Sequence, residues 1–411
     1  WSDRWEESWD NLTTIKGNLS DGLLKALDTK PKSEKMADTN NAEAYEYYLR
    51  AKHKYEKREN TEDTIIAREL LQKAISLDND LLDAKGDLGW TYFKTSDYDK
   101  AMDIFTPALK QADELGEIFW RGMILNYIGL IYYIKGDFDQ ALESFTLSIK
   151  IKEELGDKSG LGFSFMNMGN IGWSKGEYDK ALEYYNRSIE IFNKLGDKYG
   201  LVFSLCNFGF AYWGKGDYEK ALGYYTSSLE IGEKIDYRYG MARSLYSIGY
   251  YYWDKGDLEK SIDYCNRSLK ICEEISNKSG RGRSLSVIGC INYDKGRYEE
   301  AEEYLGNSIA IQKEIGLKEG DLLLETTTYL YFVYKHLNKE CDIKTIHNLI
   351  KETEYIKFNS NYLLYQLLGK APFLETAYNQ VQEKADNLEP DVKAKFLSYP
   401  IPKAIVEEWE K

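Results

Sequence analysis

From Ala44 onward apolar side chains return every three or four positions, the spacing of helices that bury a single stripe. A longer period lies over the short one. Glycine recurs at Gly89, Gly129, Gly169, Gly209, Gly249 and Gly289, always 40 residues apart, and a fixed period of that length marks a stack of repeated supersecondary units. Twelve residues after each glycine stands a small side chain: Ala101, Ala141, Ala181, Ala221, Ser261 and Ala301. Four residues further on stands a larger one: Phe105, Phe145, Tyr185, Tyr225, Cys265 and Leu305. The pattern predicts two helices per unit, the second carrying its small and bulky members one turn apart on the same face. The turns between them read Lys135-Gly136-Asp137-Phe138, Lys175-Gly176-Glu177-Tyr178 and Lys215-Gly216-Asp217-Tyr218. Glycine there suits a helix C-terminus and the acid suits the start of the next helix. Leu155-Gly156-Asp157-Lys158 and Leu195-Gly196-Asp197-Lys198 give stop signals between units.

An earlier unit runs from Ala44-Tyr45 through Ala67, Leu71 and Ala74, and the 34-residue step from Ala67 to Ala101 gives it a shorter length. Beyond Gly320 the period fades. Amphipathic helices are predicted over 322–337, 343–356, 362–368 and 374–385, with Pro400 and Pro402 flanking the entry to a last short helix. About two degenerate pairs would then cap the stack.

Asn167-Met168-Gly169-Asn170, Trp173, Gly176, Tyr178, Ala181 and Tyr185 match, position by position, the pattern of the tetratricopeptide repeat, which this arrangement resembles. The usual unit of that family has ~34 residues; the 40-residue version here is similar to those of kinesin light chains and bacterial signalling proteins. The resemblance implies an all-α, right-handed superhelical α-solenoid. The division it suggests is 1–35 as the end of an upstream segment or an N-terminal capping helix, 41–80 as a shorter repeat, 81–320 as six 40-residue repeats and 321–411 as degenerate repeats and a C-terminal cap. Trp1-Ser2-Asp3-Arg4-Trp5, followed by Leu12, Ile15, Leu19, Leu23 and Leu27, resembles the end of a TolB-like domain. In that setting the repeats often follow a nucleotide cyclase, a protein kinase or a DNA-binding regulator, so the chain reads as a fragment of a larger bacterial signalling protein.

Composition narrows the classes. Among 411 residues, 54 Lys and Arg against 68 Asp and Glu give a net charge of −14, which disfavours a phosphate-tracking surface and nucleic acid as partner. No stretch has the ~20 apolar residues of a membrane span. Five cysteines without a C-x-x-C pair fit reduced thiols and a cytoplasmic location. His53, His336 and His347 lie far apart, so no metal site, cofactor or catalytic constellation is expected. Gly280-Arg281-Gly282 follows no strand and reads as repeat punctuation.

What remains is the wall built from the first helix of each repeat, which in the family lines the groove. Two positions before the repeat glycine stand Tyr127, Asn167 and Asn207; one after it stand Trp90, Asn170, Phe210 and Tyr250. An asparagine amide can bracket the main chain of an extended peptide, and the resemblance implies that role for Asn167, Asn170 and Asn207. The alternative is satisfaction of a helix end. Four after the glycine stand Phe93, Tyr133, Trp173, Trp213, Trp253 and Tyr293, which serve as apolar anchors for a ligand or as packing between repeats. Six before it the column changes from Phe163 and Phe203 to Arg243 and Arg283, cation sites for an acidic group. Asp254 and Asp294 could instead pair with those arginines. The reading is a non-enzymatic scaffold binding a protein or peptide segment in its groove. The alternatives are self-association as a homodimer, a groove filled by the chain's own flanking segment, or a small-molecule sensor.

Overall fold

The computed structural model describes residues 41–56, 61–95, 97–275, 277–315, 321–353 and 355–411. The expected upstream segment over 1–35 lies outside them. Twenty helices and no strand are found among the described residues, and the chain divides after Gly156 into two compact units.

The first unit holds α1 (Ala42–Glu56), α2 (Thr61–Leu77), α3 (Leu82–Lys94), α4 (Tyr98–Leu115), α5 (Ile118–Ile134) and α6 (Phe138–Leu155). The second begins with four helix pairs: α7 (Lys158–Ser174) with α8 (Tyr178–Leu195), α9 (Lys198–Lys215) with α10 (Tyr218–Lys234), α11 (Arg238–Asp254) with α12 (Leu258–Glu274), and α13 (Lys278–Asp294) with α14 (Tyr298–Glu314). It continues with α15 (Asp321–His336), α16 (Ile343–Glu352), α17 (Phe358–Leu368), α18 (Ala371–Asp386), α19 (Pro390–Ser398) and α20 (Pro400–Trp409).

The repeat glycine exists because the bulky side chain of the second helix lies on it, a ring at Gly89, Gly129, Gly169 and Gly209, and Cys265 or Leu305 at Gly249 or Gly289. A Cβ at Gly169 would fall 2.4 Å from the Tyr185 ring, and one at Gly209 2.5 Å from Tyr225. The small residue four positions before that ring, Ala181 or Ala221, is fully buried at the same crossing. Buried serines stitch the pairs together. Ser228 Oγ donates to the Val202 carbonyl at 2.8 Å and accepts from Ser244 Oγ at 2.9 Å. Ser268 does the same with Ala242 and Ser284, at 2.8 and 3.1 Å.

Side-chain caps fix the helix starts. Asp157, Asp197 and Asn277 accept from the backbone N–H of Gly160, Gly200 and Gly280, which satisfies amides that the helix itself leaves unpaired. Along one edge, lysines of the intra-repeat turns pair with acids of the preceding repeat: Lys215 with Asp179 at 2.5 Å and Lys295 with Glu259 at 2.6 Å. Such exposed pairs contribute only ~0.2–1 kcal/mol each; burial does most of the holding.

Past α14 the chain changes direction. α15 and α16 share a core of Leu323, Leu324, Tyr331, Ile346 and Leu349. The helix expected to reach Ile356 stops at Glu352, with Thr353 in extended geometry and its hydroxyl bonded back to the Leu349 carbonyl. From there α17–α20 return along the repeats rather than adding pairs to the end of the stack. Phe358, Leu374, Val381, Phe396 and Ile405 enter one core with Trp213, Tyr218, Tyr225 and Leu245. The helix α19 was not expected; Pro390 opens it and Pro400 opens α20.

Candidate functional site

The candidate residues of the second unit lie on first helices of successive pairs: Asn167, Asn170 and Trp173 on α7, Asn207 and Trp213 on α9, Arg243, Tyr250 and Trp253 on α11, and Arg283 on α13. Tyr133 belongs to the first unit, half-buried near the end of α5, with its ring 5.9 Å from that of Phe138.

Three of the polar candidates form one network. Asn170 Oδ1 accepts from the Tyr185 hydroxyl at 2.8 Å and from Asn207 Nδ2 at 3.1 Å. Asn207 Oδ1 in turn accepts from the Arg243 guanidinium, which also lies over the rings of Phe203 and Phe210 at 5.9 and 5.4 Å. Asn207 is buried, whereas Asn170 and Arg243 are half-buried and keep a side toward solvent. Asn167 is buried on the preceding turn and Arg283 is exposed.

The tryptophan column makes a second ladder. Trp213 Nε1 donates to Asp254 Oδ2 at 2.8 Å and Trp253 Nε1 to Asp294 Oδ2 at 3.1 Å, both 41 residues on. At the corresponding position beyond Trp173 stands Gly214, and Trp173 Nε1 donates instead to the Phe210 carbonyl at 3.2 Å. The expected pairing of Asp254 and Asp294 with the arginines is thereby corrected. Arg243 and Asp254 sit eleven residues apart on one helix, about 16 Å along its axis at 1.5 Å per residue, so the aspartates meet the indoles of the neighbouring repeat.

Trp213 and Trp253 are buried, and Trp173 is half-buried. What covers Trp213 is the returning C-terminal segment. Lys384 of α18 places its ammonium 5.5 Å from the Trp213 ring, and Lys357, just before α17, lies 5.9 Å from the rings of both Trp173 and Trp213. Asn359 Nδ2 reaches the Tyr250 hydroxyl at 3.5 Å. A small cavity remains among Trp213, Tyr218, Asp254, Phe358, Asn359 and Tyr399. Bonded to the cavity-lining Tyr399, the Glu219 carboxylate accepts from Lys395 at 2.9 Å, Tyr251 at 2.8 Å and Tyr399 at 3.3 Å.

Electrostatics follow burial. Desolvation pushes the Asp254 carboxyl up to about 7, against the Trp213 N–H and the charges of Lys384 and Lys357. Desolvation and the like charge of Lys357 push Lys384 down to about 7, with Asp254 pulling the other way. Glu219 goes the opposite way: burial alone would raise it, but Lys395, Tyr251 and Lys255 hold it at about 2. Sequence reasoning missed Glu219, Lys357, Lys384, Phe396 and Tyr399. For Phe396 and Tyr399 the signal was the short apolar-faced segment after Pro390, which has no place in the repeat order; Glu219, Lys357 and Lys384 carry none.

Among the described residues, no cluster of three or more His, Cys, Asp or Glu could hold a metal ion, and no helix is long and apolar enough to cross a membrane. Residues 120–194, 161–234 and 240–314 match the family model of the tetratricopeptide repeat. No protein of curated function matches the sequence. Among solved structures, a Rap protein complexed with competence and sporulation factor aligns at 16% identity and TM-score 0.51, over 89% of this chain and 99% of that one. Aspartyl phosphate phosphatase F from Bacillus subtilis aligns at 14% identity and TM-score 0.50, over 91% and 96%. A signal-transduction ATPase with numerous domains from Pyrococcus horikoshii, carrying a tetratricopeptide repeat sensor, aligns at 17% identity and TM-score 0.50. This chain is covered over 82% of its length there, and spans 55% of that protein.

Proposed function

We propose, from the premise that the chain is a tetratricopeptide-repeat protein, that it is a regulatory docking module which binds a protein or peptide segment on the face formed by its first helices. The observation that carries this reading is the half-open network of Asn170, Asn207 and Arg243 beside Trp173. It presents an amide and a guanidinium at the edge of an aromatic surface, the combination that holds main chain and an acidic group while a ring anchors an apolar side chain. The Rap protein with its bound factor supports it by analogy of fold, as does the repeat sensor of the archaeal ATPase. In this reading the chain performs no catalytic step and serves a larger signalling protein. Its five cysteines, all free thiols, suit the reducing cytoplasm.

The test is peptide-display selection on the full chain, followed by fluorescence anisotropy of selected peptides on wild type and on Asn170→Ala. Loss of affinity by about tenfold, equivalent to one well-formed hydrogen bond, supports the reading. Undiminished binding to the variant sinks it.

A further inference from the structure

The face around Trp213 is already filled by the chain itself, and the filling has a specific chemistry. The Lys384 ammonium lies between three rings: Trp213 of the repeats at 5.5 Å, and Phe358 and Phe396 of its own segment at 5.0 and 5.9 Å. Lys357 lies 5.9 Å from the rings of both Trp173 and Trp213. Behind Trp213 its indole holds the Asp254 carboxyl in place, near enough for the charges of Lys384 and Lys357 to favour its ionised form against burial. Three rings converge on the head group of a long lysine side chain, a fit in shape and in cation–π geometry, although burial lowers the lysine's own pKa. The anchors beside it are aromatic: Phe396 and Tyr399 pack on Tyr218 with ring centroids 5.8 and 4.8 Å apart.

The fit is incomplete. Asn359 Oδ1 and Ser360 Oγ, at the start of α17, are buried without a hydrogen-bond partner, and each such atom works against burial. Inside the repeats the buried serines are bonded in ladders, although Gln312 Oε1 on α14 also lacks a partner. A segment held by rings and charge but carrying unsatisfied polar atoms is one that a better-fitting competitor can displace.

We propose that the Trp213–Asp254 face is a partner-binding site held shut by α17–α20, and that the partner opening it is a protein segment presenting a lysine beside an aromatic ring, as Lys384 and Phe396 do here. This rests on the reading that the repeat face binds protein segments, and it names the chemistry of one such segment. Covalent attachment keeps the internal copy at millimolar effective concentration, so a foreign copy competes poorly until the attachment is weakened.

The probe is a fluorescent peptide of residues 380–399 of this chain, titrated into the full-length protein. Wild type should show no saturable binding. The full-length Lys384→Gln/Phe396→Ala variant should bind it, with hydrogen exchange in α17–α20 faster at least tenfold and exchange in α7–α14 unchanged. The same peptide carrying Lys384→Gln should bind the variant at least tenfold more weakly, and one carrying Lys384→Arg should stay within threefold of the parent peptide. Equal binding of the glutamine peptide, no binding to the variant, or unchanged exchange in α17–α20 overturns the proposal. If the double variant does not fold, the milder Glu219→Gln/Tyr399→Phe pair is read by the same criteria. Because the peptide is the chain's own sequence, this test can fail while the Asn170 test succeeds, and the reverse.

Discussion

The indole N–H of Trp213 donates to the Asp254 carboxylate of the next repeat at 2.8 Å. That bond lines up the first helices of adjacent repeats and places a half-buried acid behind the ring that the C-terminal lysines approach. At pH 6, below the raised pKa of Asp254, asparagine mimics the protonated acid and still accepts the indole bond. Asp254→Asn should then stay within ~1 kcal/mol of wild type in urea melts, while Asp254→Leu, leaving a buried N–H unpaired, should cost ~1–3 kcal/mol. Equal costs for the two would show that the bond does not matter to the stack.

Glycine substitutions separate crossing points from open surface. Gly169→Ala forces a Cβ to 2.4 Å from the Tyr185 ring and should destabilise by ~1–3 kcal/mol. Gly223→Ala, in the middle of α10 with nothing within 4 Å, should stabilise by ~0.5–1 kcal/mol. Melts in which both changes act in the same direction would refute the packing described.

Asn207 is both a network member and a buried group. Asn207→Ala strips Arg243 and Asn170 of a partner at once, so a loss of ~1–3 kcal/mol is expected. A melting temperature equal to wild type would place that network outside the folded core. Binding data on this variant must be compared per folded molecule, which is why the half-buried Asn170 is the better probe of ligand contact.

The Glu219 latch predicts a pH dependence of known sign. Its carboxyl is held at about 2 against an ordinary 4.5, so its contribution is complete above 4.5 and fades as pH falls toward 2. Glu219→Gln should therefore melt below wild type at pH 6, with the gap narrowing steadily between pH 4.5 and 2. A gap that stays constant across that range would mean that the ionised carboxylate contributes nothing.

The repeat glycines, the small residue twelve positions on and the helix starts were readable because each meets a neighbour at fixed spacing, and fixed spacing is what a sequence displays. Asn170 and Asn207 could be placed on one face by the same reasoning. Their bond to each other could not, because it depends on the angle between α7 and α9. The alternative that Asp254 pairs with an arginine of its own helix fails on the rise along that helix, and its partner is the Trp213 indole one repeat away. The docking of Lys384, Phe396 and Tyr399 on residues near position 218 has no period at all. Tyr399 and Glu219 are 180 residues apart, and only the tertiary fold brings them together.

The most direct measurement of the account is zero-length carbodiimide crosslinking of the full chain followed by mass spectrometry. Lys395 Nζ lies 2.9 Å from the Glu219 carboxylate, close enough for an amide to form without a spacer. If the C-terminal helices close the Trp213 face of their own repeats, the Glu219–Lys395 crosslink will appear within single chains and persist on dilution. A chain in which that crosslink is missing, or joins two molecules and disappears on dilution, would contradict the account.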